Sequence, residues 1–73
     1  MKLPLLSALE LIKVLKKLNF QEIRQRGSHK YFKHSDGRST VVPVHSGNDI
    51  GRGLLLKILK EIEISREEFL SLV

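Results

Sequence analysis

The 73-residue chain reads as a two-layer α+β domain, α-β-β-β-α in order, with helices on one face of a three-stranded antiparallel sheet. Three observations predict this. Ala8, Leu11, Ile12, Leu15 and Leu18 recur at helical spacing near one end, and Leu55, Ile58, Leu59 and Ile62 do so near the other. Between them, two runs rich in aromatic or β-branched residues flank an Asp-Gly pair, a strong short-range hairpin signal. No repeat or linker interrupts the sequence, and its length suits one domain, 1–73.

The first helix is expected from about Ser7 to Leu18. Ser7-Ala-Leu-Glu10 has the form of a capping box, and Lys13, Lys16 and Lys17 occupy the polar side. Leu9 and Val14 fall off the main apolar stripe, so the helix is expected to meet the core over a broad angle. Asn19 stops it. Phe20 to Arg26 then reads as a strand, with Phe20 and Ile23 its main apolar positions, and Gly27-Ser28 punctuates it. His29–His34 and Ser39–Val44 follow as a hairpin. A two-residue turn at Asp36-Gly37 sets Tyr31 opposite Val42, Phe32 opposite Val41 and His29 opposite Val44. The pattern leaves open which face is buried. Pro43 has no N–H for a ladder, which places its strand at a sheet edge. His45 to Gly53 reads as a loop with Asp49 as N-cap of a helix ending near Glu61 or Ile62. Ser65-Arg-Glu-Glu68 opens a last short helical turn that presents Phe69 and Leu72 to the body.

Composition narrows the function. A domain this small buries only about 60% of its unfolded surface, so chemistry is expected on an open face rather than in a deep pocket. With no cysteine, disulfides, thiolate zinc sites and catalytic thiols are excluded, which fits a reducing compartment. Thirteen Lys and Arg against eight Asp and Glu give a net charge of +5 and a pI near 9.9, a footprint of nucleic-acid binding. The positive charge is concentrated: Arg24, Arg26, Lys30, Lys33 and Arg38 fall in one stretch with His29 and His34, and only Asp36 opposes them. The last fourteen residues are acidic instead. Glu10 and Lys13 interrupt the apolar N-terminal segment, which fits neither a signal peptide nor a membrane span, so a cytosolic protein is expected.

Three histidines are the side chains suited to proton transfer near neutral pH. His29 stands among Arg26, Lys30 and Lys33. A neutral imidazole there can accept a proton while the cations hold phosphate oxygens. RNA brings its own nucleophile, the 2′-hydroxyl, so a general base with cationic stabilisation suffices without a metal. The plain alternative is a surface histidine with a passive role. A metal site from His29, His34 and His45 lacks paired spacing, and Asp49 is its one nearby carboxylate, so no metal or cofactor is expected. Tyr31 or Phe32 could stack on bases, but on an alternating strand one of them must face the core. The glycine-bearing segment Ser46 to Asp49 precedes a helix and could meet phosphate, although Asp49 favours a simple cap.

Taken in order, Arg24-Gln-Arg26-Gly27-Ser28-His29-Lys30-Tyr31-Phe32, His34-Ser-Asp36-Gly37-Arg38 and Val42-Pro43-Val44-His45 resemble the HicA toxin family. Gly53-Leu-Leu55-Leu-Lys-Ile58-Leu59 and the closing Ser65 to Phe69 resemble it too, so the likeness covers nearly the whole chain. It implies a fold like that of double-stranded RNA-binding domains (dsRBD-like), an mRNA-cleaving endoribonuclease and neutralisation by a HicB-like antitoxin. It also implies that His29 is the catalytic histidine, and it places the family's glycine and serine at Gly27 and Ser28; these two, with the clustered cations Arg24, Arg26, Lys30, Lys33 and Arg38, are the residues expected to bind RNA. Ser35 stands where the family often has proline, and Lys30 where a second histidine is common. Two other readings of the same basic face are a non-catalytic RNA-binding module and a domain that meets an acidic protein partner.

Overall fold

The computed structural model describes residues 3–45 and 49–73. A short strand β1 (Leu6–Ser7) leads into helix α1 (Ala8–Lys17), followed by strands β2 (Gln21–Arg26), β3 (His29–Lys33) and β4 (Ser39–Pro43). Strand β5 (Asp49–Ile50) and helices α2 (Arg52–Ile62) and α3 (Arg66–Leu72) complete the chain. The main sheet is antiparallel in the order β2-β3-β4, and β1 pairs with β5 in a separate two-residue ladder. This is the expected α+β arrangement, with α3 as the short closing helix expected after Ser65 and the β1–β5 clip added to it.

α1 starts where the capping box places it. Ser7 Oγ accepts from the Glu10 N–H and Glu10 Oε1 accepts from the Ser7 N–H, so two of the orphan donors at the helix start are satisfied. Ala8, Leu11, Ile12, Val14 and Leu15 are buried, so the buried arc is broad and includes Val14, while Leu9 stays exposed. Asn19, at φ 69°, turns the chain towards the sheet. α2 departs from expectation at its start. Its N-cap is Gly51, without a side-chain cap bond, and Asp49 is instead the first residue of β5. At the end of α2, Glu63 takes a left-handed φ of 59°, and Ser65 caps α3 through the Glu68 N–H.

A single apolar cluster joins Leu11 and Leu15 of α1, Phe32 of β3, Val42 of β4, Leu55, Ile58 and Ile62 of α2 and Phe69 of α3. The helices cover the β3–β4 half of the sheet only. Every residue of β2 is exposed, so that strand extends beyond the helical layer and is bare on both sides. Ile23 accordingly does not reach the core as the sequence suggested. The β2–β3 register shifts between Glu22 and Arg24, and Ile23, in that bulge, is 56% exposed.

The β3–β4 hairpin also differs from its expected register. Its partners are His29↔Pro43, Lys30↔Val42, Tyr31↔Val41, Phe32↔Thr40 and Lys33↔Ser39, one residue away from the pairing of a two-residue turn. The cause lies in the turn. The His34 N–H donates to Arg38 O and the Gly37 N–H to His34 O, so Ser35-Asp36-Gly37 forms a three-residue loop. Gly37, at φ 102°, supplies the positive φ that ends such a loop. β4 lies at the sheet edge, as Pro43 requires, and the Val44 N–H extends the pairing by donating to Ser28 O.

Phe32→Ala should lower stability by about 3–5 kcal/mol, the usual cost of emptying a buried phenylalanine site. Ile23→Thr should change it by less than about 0.5 kcal/mol, as at other exposed positions. Urea denaturation of the two variants against the parent measures both.

Candidate functional site

The register decides which side chains can meet a ligand. Phe32, Thr40 and Val42 are buried beneath the helices, and Thr40 Oγ1 donates to Glu61 Oε1 of α2 at 2.7 Å. Successive residues of a strand point to opposite faces, so His29, Tyr31 and Lys33 turn to the side away from the helices. Their cross-strand partners follow them: Arg26 opposite His29, Arg24 opposite Tyr31 and Gln21 opposite Lys33. The open face therefore gathers Arg24, Arg26, His29, Tyr31 and Lys33.

Arg26, Gly27, Ser28 and His29 form the tight turn between β2 and β3. Gly27 has φ 57° at the first of the two loop positions, where a turn matched to the twist of a hairpin places its positive φ. This turn holds Arg26 and His29 as direct cross-strand neighbours. His29 is exposed, and its side chain makes no hydrogen bond or ion pair among the described residues. The Arg24 guanidinium lies 4.4 Å from the centroid of the Tyr31 ring, a cation–π contact. A hollow of about 380 Å³ opens beside it, bordered by Ile23, Arg24, Tyr31, Lys33 and Val41 among others.

Two cations of the basic stretch are not brought to this face. Lys30 has the opposite parity, and its Nζ lies 3.4 Å from Glu22 Oε1. Arg38 has its guanidinium committed within the protein. It bonds both carboxylate oxygens of Asp36, donates from Nη1 to the Ile62 carbonyl of α2 and lies 5.1 Å from the Phe20 ring centroid. Arg38 thus fastens the hairpin turn to the helical layer. Nothing in its composition distinguishes such an arginine from a phosphate ligand, because its partner carbonyl is 24 residues away in the chain.

The other histidines stand apart from His29. His34 packs edge-on against Phe20, with ring centroids 5.2 Å apart, and its Nδ1 lies 3.1 Å from both the Asp36 backbone N and Asp36 Oδ1. The backbone N–H needs an unprotonated Nδ1 and the carboxylate a protonated one, so the imidazole has a partner in either form. His34 is thereby part of the turn. His45 is exposed past the end of β4 and, with Pro43, Asp49, Ile50 and Leu54, borders a second hollow of about 370 Å³. The segment Ser46-Gly47-Asn48, considered for phosphate contact, lies outside the described residues. Among the described residues, no three of His, Asp and Glu are grouped so that they could hold a metal ion, and no helix is long and apolar enough to cross a membrane.

The turn beside this face has its own electrostatics. The Arg38 backbone N–H, bonded to Asp36 Oδ1, holds the Asp36 carboxyl below the usual aspartate range, with the Arg38 side chain and His34 adding to the effect. A depressed folded-state pKa contributes stability above the unfolded-state value and loses it as pH falls through the folded-state value. An NMR titration should therefore find the Asp36 midpoint below that of a free aspartate. Arg38→Gln, which keeps the backbone donor but removes the guanidinium, should lessen the depression without abolishing it, and Gly37→Ala, straining the positive φ, should diminish it as well.

Comparison with known proteins bears on what the face is for. The family described as "HicA toxin of bacterial toxin-antitoxin" matches residues 8–64, well over half of the chain, from the start of α1 to just past α2. No curated protein matches the sequence significantly.

Proposed function

The chain belongs to the HicA toxin family, toxins of bacterial toxin–antitoxin systems, and we propose that it acts as a metal-independent endoribonuclease on mRNA with His29 as the proton-transfer residue. The observation that carries this reading is the exposed His29 on a helix-free sheet face beside Arg26, with Arg24 and Lys33 on the same face. An open face suits a polymer, which cannot enter a closed pocket.

The chemistry follows from the substrate. His29 takes the proton of a ribose 2′-hydroxyl as that oxygen attacks the adjacent phosphorus. The P–O5′ bond breaks, and the imidazolium returns its proton to the departing 5′-oxygen, leaving a 2′,3′-cyclic phosphate. Arg26, next to His29, is suited to the charge that develops on the non-bridging oxygens, and Arg24 and Lys33 to neighbouring phosphates. The Gly27-Ser28 turn keeps backbone and small side chains where a phosphodiester must come close. Lys30 and Arg38, occupied by Glu22 and by Asp36 and Ile62, have lesser parts. The antitoxin is a HicB-like protein, and an mRNA substrate puts the toxin's action in the cytoplasm.

Incubating the protein and its His29→Ala variant with single-stranded RNA in EDTA tests the assignment. The parent should cleave and the variant should not, while both bind RNA with similar affinity. Cleavage by a folded His29→Ala protein would remove His29 from the mechanism. Salt-dependent binding by both, with intact RNA after long incubation, would identify a non-catalytic RNA-binding module. Arg26→Gln should lower the slope of log affinity against log salt by about 1, as the loss of one phosphate contact does, and Arg38→Gln should leave it nearly unchanged.

A further inference from the structure

Tyr31 is the chain's one tyrosine, and the chain has no tryptophan. Of the two adjacent aromatic residues on β3, Phe32 is fully buried in the core, whereas Tyr31 is half-buried on the open face. The core does not need its ring there: the residue paired with it on β4 is Val41, and on β2 it is Arg24, which stacks its guanidinium on the ring at 4.4 Å. The hollow of about 380 Å³ opens beside this pair. His29 lies two residues along the same strand and on the same face, roughly 7 Å away at the rise of an antiparallel strand. That is on the order of the reach of one unstacked nucleotide.

We propose that the Arg24–Tyr31 stack is a nucleobase platform, which receives one unpaired base of a single-stranded RNA in the adjoining hollow and thereby sets the position of the phosphodiester that reaches His29. Stacked aromatic and guanidinium planes are a common means of holding unstacked bases, and they tolerate sequence because every base has a π-face. The charge on this face fits the same ligand, because Arg26 and Lys33 lie at either end of the line from His29 past Tyr31 and can hold the flanking phosphates. A paired duplex offers no free base face to this stack, so single-stranded RNA is the substrate class. Tyr31 is a positioning residue here and transfers no proton. The proposal rests on the reading that RNA lies across this face, and it holds whether or not the RNA is cut.

Because Tyr31 is unique, its ring protons in the NMR spectrum report on the platform directly. The His29→Ala protein is titrated with a short oligouridylate and with an abasic ribose-phosphate oligomer of equal length, while labelled-RNA anisotropy gives the affinities. The base-bearing oligomer should shift the Tyr31 ring signals upfield and the abasic one should not. Tyr31→Leu, which keeps apolar bulk but removes the π-face, should weaken binding of the oligouridylate about 5- to 150-fold, the range for one stacked base, and leave the abasic oligomer unaffected. Tyr31→Phe should bind like the parent, and in the protein with His29 intact Tyr31→Leu should raise KM more than it lowers kcat. Equal shifts or equal affinities for the two oligomers would overturn the platform, as would binding of neither or undiminished binding by Tyr31→Leu. RNA cleavage without a base-dependent Tyr31 shift would discard the platform and keep the nuclease. The shift without cleavage would do the reverse.

Discussion

Phe32 has to lie under the helices, because a chain this short has few aromatic side chains from which to build a core, and Phe20, Phe32 and Phe69 are all needed inside. Burial of that one ring against α1 and α2 decides the orientation of the central strand. Sheet side chains alternate, so a slip of one residue in β3 would drive Lys33 and Tyr31 into the core and turn Phe32 to water. The cost of burying an unpaired lysine makes such a slip untenable. Placement of the histidine and its companion cations on the opposite face is thus a by-product of packing.

The turn at residues 34–38 enforces the same choice from the other end of the hairpin. Gly37 supplies the backbone geometry, Asp36 accepts from the Arg38 N–H, and Arg38 reaches the end of α2. A local feature that sets strand register is therefore tied by a long-range bond to the helical layer. The two layers agree about where β4 lies because one arginine belongs to both. Thr40, the one buried polar residue among the described residues, is satisfied in the same region by Glu61 of α2, so its hydroxyl is not left unpaired between hairpin and helix.

Much of this architecture was legible in the residues themselves. The Ser7–Glu10 capping box and the apolar stripe behind it mark α1 almost to the residue, and Pro43 marks the edge strand. The Asp-Gly pair announces a hairpin but not the length of its loop, since two- and three-residue turns both take glycine at a positive φ. That ambiguity propagated into every cross-strand partner. Ile23 looked like a core residue because its chemistry is apolar, and only the bulge and the absence of a helix over β2 leave it in solvent. The two-residue β1–β5 clip carries no periodicity to detect. At the candidate site the stretch from Arg24 to Arg38 was visible as a cluster of charge, but its division into ligand-facing and structural cations was not. Parity, which depends on the register, removes Lys30 from the face, and a contact 24 residues distant occupies Arg38.

β2 is bare on both sides, and the side chains of the working face contribute little to the core. Folding and the proposed chemistry therefore draw on separate residues. In a protein whose activity harms its own cell, this separation has an evolutionary consequence. On the proposed assignment, a change at the exposed His29 or Arg26 would silence the chain without unfolding it, so an inactive variant would persist as a well-folded protein. Such a variant would differ from the active form at one exposed side chain and would otherwise present the same surface to an antitoxin. It would then compete with the active form for that antitoxin in any cell that carries both.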